Sequence, residues 1–91
     1  MIVAQRFLMS GRVQGVGFRY FADEVARHEG LSGFVRNRAD GRVEAVVEGE
    51  EESVARFEMA MRQGPPLSRV DAIDIESLPP TGRRTEFVIR G

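Results

Sequence analysis

The chain has 91 residues and a mass of 10.2 kDa, with 42% hydrophobic and 30% charged residues, a composition and size that suit one small globular domain. Thirteen basic and 14 acidic side chains give a formal net charge of −1, and the pI is about 5.8. Nucleic acids and anionic membranes attract proteins with a basic excess, so neither is expected as a partner. With no apolar run of transmembrane length and no evident secretory signal, we expect a single cytoplasmic domain over residues 1–91. We also expect a monomer, an expectation that rests on no motif in the sequence.

The residue types that the sequence lacks limit its chemistry further. It has no Cys and one His, and every basic residue other than that His is Arg. These absences exclude a disulfide framework, a thiolate nucleophile, a Cys-based or His-pair zinc site, a lysine Schiff base and a Walker-type phosphate loop. We therefore expect no metal and no cofactor. Any catalysis has to use Arg, carboxylates, amides, hydroxyls and the backbone.

Hydrophobic periodicity and turn residues predict the secondary structure in chain order. The predicted strands cover residues 2–9, 32–37, 42–48, 69–76 and 85–90, and the first helix covers residues 20–29. A second helix opens at residues 50–52 and ends at residues 64–66, with a buried stripe of Val54, Phe57 and Met61.

Local signals mark the element ends and the faces of the strands. Gly30 is expected to end the first helix, with Leu31 packing back on it, and the Asp40-Gly41 pair predicts a hairpin turn between the second and third strands. In the third strand, apolar residues alternate with charged ones. One face is therefore expected in the core and the other largely in solvent.

The order β-α-β-β-α-β, with a short C-terminal strand, predicts an α+β fold. In this ferredoxin-like, split βαβ sandwich, two helices pack on one face of an antiparallel sheet. The loop between the first strand and the first helix then lies at one end of the sheet, beside the hairpin. The fold alone does not identify a function.

The glycine-rich segment 11–19 is the best candidate for chemistry. Glycines between a strand and a helix let successive backbone N–H groups converge on an anion. Arg19 lies at the helix start, where a cation is unfavourable by about 0.3–1 kcal/mol unless an anion compensates it. Its planar guanidinium can bind two phosphate oxygens at once. On spacing alone, a plain strand-to-helix connection, with Arg19 paired to Asp23 or in solvent, is equally compatible with the sequence.

Three segments resemble motifs of the acylphosphatase family. They are Gly11-Arg12-Val13-Gln14-Gly15-Val16-Gly17-Phe18-Arg19, Gly33-Phe34-Val35-Arg36-Asn37 and Asp40-Gly41-Arg42-Val43-Glu44. The likeness covers nearly the whole chain, through Gly30-Leu31, Phe57, Gly64-Pro65 and Phe87-Val88-Ile89. One departure is Phe34, since many family members have Trp there, but both side chains are large and aromatic.

The resemblance implies metal-independent hydrolysis of the carboxyl-phosphate bond of acyl phosphates, giving a carboxylate and inorganic phosphate, which would also bind as an inhibitor. It implies two catalytic residues, Arg19 as the phosphate-binding arginine and Asn37 as the asparagine that orients the attacking water. Backbone amides of the loop are implied to surround the phosphate together with Arg19; the loop residues are Gln14, Gly15, Val16, Gly17 and Phe18. A carboxylate leaves without protonation, so this chemistry needs no general acid.

Two functions of other classes stay open at this point. RNA-recognition domains share the element order, and residues 33–35 faintly echo one of their motifs, but the acidic pI and the single Tyr do not suit RNA binding. A non-catalytic anion-binding or regulatory module would keep the glycine loop but would not need Asn37. Related domains also occur inside larger hydrogenase-maturation proteins, whose further domains a 91-residue chain is too short to include.

Overall fold

A computed structural model describes residues 1–83 and 85–91 of the chain, and these residues form five strands and two helices. The strands are β1 (Ile2–Arg12), β2 (Ser32–Asn37), β3 (Val43–Glu50), β4 (Arg69–Leu78) and β5 (Phe87–Arg90). The helices are α1 (Phe18–His28) and α2 (Glu51–Gln63). Within the described ranges, no helix is long and apolar enough to cross a membrane.

The strands form one sheet in the order β4-β1-β3-β2-β5. The pairs β4–β1, β1–β3 and β3–β2 are antiparallel, and β5 pairs with β2 in parallel. The expected ferredoxin-like arrangement is therefore confirmed for the four longer strands. The short β5 adds a parallel edge, so the complete sheet is mixed rather than antiparallel throughout.

The core lies between the sheet and the two helices, as the periodicity predicts. The buried residues of α2 are the expected Val54, Phe57 and Met61. The ring of Phe57 packs between those of Phe7 and Phe87, with centroid distances of 5.6 and 6.3 Å. Burial of such aromatic and aliphatic side chains is the main force that holds the helices on the sheet.

Helix α1 begins two residues before its predicted start, because Phe18 is itself helical and buried in the core. Its N-cap is Gly17, in a left-handed conformation with φ of 78° and with no side-chain cap. Its C-terminus follows the prediction: the N–H groups of Gly30 and Leu31 donate to the carbonyls of Arg27 and Ala26, the Schellman pattern.

Strand β1 runs to Arg12, beyond its predicted end, and a bulge interrupts its pairing with β4 between Ser10 and Gly11. The bulge leaves one extra residue on β4, between Val70 and Ala72, without a partner on β1. The glycine-rich loop therefore begins where β1 ends, at one end of the sheet.

The outer face of β3 departs from the expectation of a solvent-facing strand. Glu44 is only 5% exposed, because the side chains of Arg6 and Arg36 lie over it from the two neighbouring strands and donate hydrogen bonds to its two carboxylate oxygens. Burial raises the pKa of Glu44, but the hydrogen bonds from the two guanidinium groups lower it by a larger amount. The pKa of Glu44 is therefore below its ordinary value. Glu44 is thus an ionised, buried centre of a charge network.

Candidate active site

The loop between β1 and α1 lies beside the tip of the β2–β3 hairpin, and a cleft of about 200 Å³ opens between them. Seven residues line it: Val13, Gly15, Gly17, Phe18, Arg19, Tyr20 and Asn37. Five of these seven belong to the set implied by the family resemblance. The fold therefore brings Arg19 and Asn37, 18 residues apart in the sequence, to one cleft.

Two glycines give the loop its shape. Gly15 and Gly17 have φ of 74° and 78°, in the left-handed region, and a Cβ atom at either position would meet no other atom within 4 Å. The backbone conformation, rather than lack of space, is what favours glycine at both positions. Left-handed residues alternating with ordinary ones are typical of backbone nests that bind anions.

The N-terminus of α1 is left without compensating charge. Its first turn contains no acidic residue and its N-cap glycine has no side chain to offer, whereas the first turn of α2 carries Glu51 and Glu52. The first N–H groups of a helix lack intrahelical partners and carry positive potential. The residues at the start of α1, 17–20, line the cleft.

Arg19 adds a second positive group at the same place. Its Nη1 donates to the main-chain carbonyl of Arg90, 3.3 Å away, and the side chain is only partly exposed. Asp23 does not pair with it, since the Asp23 carboxylate binds Arg27 at 3.0 Å. Among the described residues, no carboxylate lies within ion-pair distance of Arg19. The arrangement therefore has an uncompensated positive charge where an anionic ligand would fit.

Asn37 is the last residue of β2 and pairs with Val43 across the hairpin. Within the described part of the chain its side chain makes no hydrogen bond, so its amide oxygen and both amide protons are available to a ligand or to water. The pairing of β2 with β3 holds Asn37 in place, and its side chain is not needed for this.

The hairpin turn that follows Asn37 is closed by several hydrogen bonds. Asp40 accepts hydrogen bonds from the side chain and the N–H of Arg42 and from the Arg38 side chain. These contacts lower the pKa of Asp40 well below its ordinary value and keep it ionised, with the Arg42 side chain the largest cause. Gly41 donates from its N–H to the Arg38 carbonyl at 3.2 Å and closes the turn.

Two members of the implied phosphate loop have side chains that point away from the cleft. Gln14 donates from Nε2 to the carbonyls of Arg38 and Arg42, and Val16 packs against the hydrophobic core. Neither lines the cleft, so their implied contribution to phosphate binding is limited to the backbone.

Sequence reasoning did not single out two residues that do line the cleft, Val13 and Tyr20. Val13 is buried, and Tyr20 is 70% exposed at the cleft rim. The position of Tyr20 directly after Arg19, at the start of a helix, is a signal that places it near the site. In the described ranges, no group of three or more His, Asp or Glu side chains is arranged to hold a metal ion.

A family model described as acylphosphatase matches residues 5–89, which is most of the chain. The chain belongs to the acylphosphatase family. It is 47% identical over 88 residues to the acylphosphatase of Anaeromyxobacter dehalogenans, a match that covers 97% of this chain and 95% of that protein. The family resemblance inferred from the motifs is thus confirmed.

Solved structures agree with this assignment. The crystal structure of acylphosphatase from Bacillus subtilis superposes with a TM-score of 0.94 at 40% identity, and the match covers 100% of both chains. The structure of full-length HypF in its phosphate- and nucleotide-bound form matches with a TM-score of 0.90 at 34% identity, over all of this chain but only 12% of that one. Membership of the acylphosphatase family and these matches support acyl-phosphate hydrolysis, so the expected fold and hydrolase class are confirmed.

Proposed function

We propose that the chain hydrolyses acyl phosphates in the cleft between the glycine loop and the β2–β3 hairpin. Water attacks phosphorus, the bond between phosphorus and the carboxyl oxygen breaks, and a carboxylate and inorganic phosphate leave. The observation that carries the proposal is the meeting of Arg19 and Asn37 in one cleft, at a helix N-terminus without acidic residues.

Phosphate binding falls to the loop backbone and to Arg19. Backbone N–H groups of residues 14–18 and the start of α1 supply hydrogen bonds and positive potential, and Gly15, Gly17 and Phe18 of this loop line the cleft. The guanidinium of Arg19 supplies a charge-assisted pair of donors. In a phosphoryl-transfer transition state the charge spreads over the equatorial oxygens, so donors fixed in advance stabilise it more than the ground state.

Asn37 orients the nucleophile. Its amide oxygen accepts a hydrogen bond from the water, and this directs a water lone pair at phosphorus. No carboxylate or imidazole is among the described residues that line the cleft. The water proton is therefore assigned to a phosphoryl oxygen of the substrate, so the protein needs no general base.

The same arrangement selects acyl phosphates over phosphate monoesters. The carboxylate leaving group of an acyl phosphate is stable without a proton at neutral pH, whereas an alkoxide needs a general acid or a metal. The cleft stabilises negative charge and positions the water, and these two effects suffice only for the carboxylate leaving group.

The test compares benzoyl phosphate with an aryl phosphate monoester in the presence of a chelator. We expect rapid, chelator-insensitive cleavage of benzoyl phosphate alone, with competitive inhibition by inorganic phosphate. If neither compound is cleaved while phosphate still raises the melting temperature, the chain is the non-catalytic anion-binding module instead.

A further inference from the structure

Gln14 makes an unusual connection between two parts of the site. Its side-chain amide nitrogen, Nε2, donates to the carbonyl of Arg38 at 2.8 Å and to the carbonyl of Arg42 at 3.0 Å. A primary amide has two protons, and these two contacts use both of them. The side chain is partly buried, so water competes weakly for the same donors.

The two acceptors are the ends of the hairpin turn. Arg38 follows Asn37 directly, and Arg42 precedes Val43, the residue that pairs with Asn37 in the sheet. The Arg38 N–H donates to the Arg42 carbonyl at 2.8 Å, so the turn is already closed on itself. Gln14 therefore binds the hairpin at the point from which Asn37 enters the cleft.

Gln14 itself belongs to the loop that carries the phosphate-binding backbone. It lies next to Gly15, which lines the cleft. Among the described residues, the hydrogen bonds between residues 13–17 and residues 37–42 both come from the Gln14 amide group. One side chain thus connects, by two hydrogen bonds, the loop implied in phosphate binding and the hairpin that holds Asn37.

We propose that Gln14 is a positioning residue, which fixes Asn37 relative to the phosphate loop through its two hydrogen bonds to the hairpin carbonyls. The inference rests on the proposed function, because Asn37 must orient water for its position to matter. Gln14 does not touch the substrate through its side chain. A shift of about 1 Å in a reacting group lowers turnover by up to about 100-fold, so we expect loss of the two hydrogen bonds to lower kcat at least about tenfold.

Gln14→Met removes both donors and nearly keeps the side-chain length, and Gln14→Asn keeps the amide on a shorter chain. We expect kcat for benzoyl phosphate to fall in the order wild type, Gln14→Asn, Gln14→Met. KM and the inhibition constant of inorganic phosphate should stay within about twofold of wild type, since the loop backbone and Arg19 are unchanged. An unfolded fraction would also lower the apparent kcat without changing KM, so kcat is calculated from the concentration of folded protein.

The decisive experiment is a double-mutant cycle of Gln14→Met with Asn37→Ala. If Gln14 acts through Asn37, adding Gln14→Met to Asn37→Ala lowers kcat no further. An equal fall in both backgrounds, or a wild-type kcat for Gln14→Met, would overturn the proposal. A phosphate inhibition constant raised more than about tenfold would overturn it too, because Gln14 would then be a phosphate ligand.

Two controls keep these outcomes interpretable. Urea unfolding of each variant identifies loss of folded protein, and if Gln14→Met does not fold, the cycle is run with Gln14→Asn. The wild-type rate is measured first. A wild type that does not cleave benzoyl phosphate contradicts the proposed function itself, and this result is distinct from a wild-type-like Gln14 variant of an active enzyme.

Discussion

Arg19 is tied to the far end of the chain by a hydrogen bond from its Nη1 to the main-chain carbonyl of Arg90, at 3.3 Å. This contact joins the first turn of α1 to the last residue of β5. It occupies one edge of the guanidinium and leaves the other N–H donors for a ligand. The orientation of Arg19 is therefore set before any anion binds.

The planar fork of Arg19 gives the first prediction. Arg19→Lys keeps the positive charge but cannot donate two parallel hydrogen bonds while also binding the Arg90 carbonyl. We expect kcat/KM for benzoyl phosphate to fall by about 10- to 100-fold and the inhibition constant of inorganic phosphate to rise. Steady-state kinetics with phosphate as a competitive inhibitor measures both.

Arg56→Lys is the matched control for this change. Arg56 lies on α2 and pairs with Glu29, beyond the C-terminal end of α1 and away from the cleft. Its kcat and KM should stay within about twofold of wild type, because neither Arg56 nor Glu29 lines the cleft. Wild-type kinetics for Arg19→Lys as well would remove Arg19 from the site.

Asn37 should affect turnover rather than binding. Asn37→Ala removes the amide that orients water, so we expect kcat to fall about 100-fold while inorganic phosphate inhibits as before. Its side chain makes no hydrogen bond within the described residues, so urea unfolding should show little loss of stability. A large loss of phosphate affinity would instead make Asn37 a ligand of the phosphoryl group.

Glu44 gives a prediction for stability and its dependence on pH. Glu44→Gln removes the buried charge that the Arg6 and Arg36 side chains share, and we expect a loss of about 1–2 kcal/mol in the free energy of unfolding near neutral pH. The folded pKa of Glu44 lies below its ordinary value of 4.5. The carboxylate thus stabilises the fold above that value, and its contribution disappears as the pH falls through the folded pKa.

Urea unfolding of wild type and Glu44→Gln, at neutral pH and at acidic pH below the ordinary pKa of Glu, tests this account. The difference in the free energy of unfolding between wild type and Glu44→Gln should become smaller at acidic pH. The control is Glu76→Gln, since Glu76 also binds Arg6 but its side chain is 60% exposed. We expect this variant to lose less free energy of unfolding than Glu44→Gln. A difference that is independent of pH would contradict the role assigned to the Glu44 charge.

Two glycines that share positive φ should differ sharply in their tolerance of a methyl group. At Gly33, in β2, a Cβ atom would lie 1.8 Å from the Val46 carbonyl oxygen of the paired strand, whereas at Gly41, in the hairpin turn, it would meet nothing within 4 Å. Gly41→Ala should cost about 1–2 kcal/mol from backbone conformation alone. Gly33→Ala should cost at least about 3 kcal/mol, because β2 and β3 must separate. Equal unfolding free energies for the two variants would refute this reading.

Local patterns predict much of this fold correctly. The bounds of β2, the buried stripe of α2 and the ending of α1 at Gly30 all follow from signals carried by neighbouring residues: alternation, helical spacing and a glycine at a helix end. The meeting of Arg19 and Asn37 followed from the topology together with the family motifs.

Features that depend on distant residues could not be predicted in this way. Glu44 was expected in solvent, and its burial depends on two arginines from neighbouring strands, which no pattern within β3 reveals. The Gln14 side chain was placed with the phosphate loop by its position in the motif, but its direction depends on two carbonyls more than 20 residues away. Periodicity also missed the start of α1, because Gly17 provides no side-chain cap to mark it.

The central claim is that a water oriented by Asn37 attacks the phosphorus of an acyl phosphate held by Arg19 and the loop. Hydrolysis of benzoyl phosphate by the wild-type protein in ¹⁸O-labelled water, followed by mass spectrometry of both products, tests it most directly. The account predicts that the label from the solvent appears in inorganic phosphate and not in benzoate. Label in benzoate would mean attack on the carbonyl carbon and would contradict it.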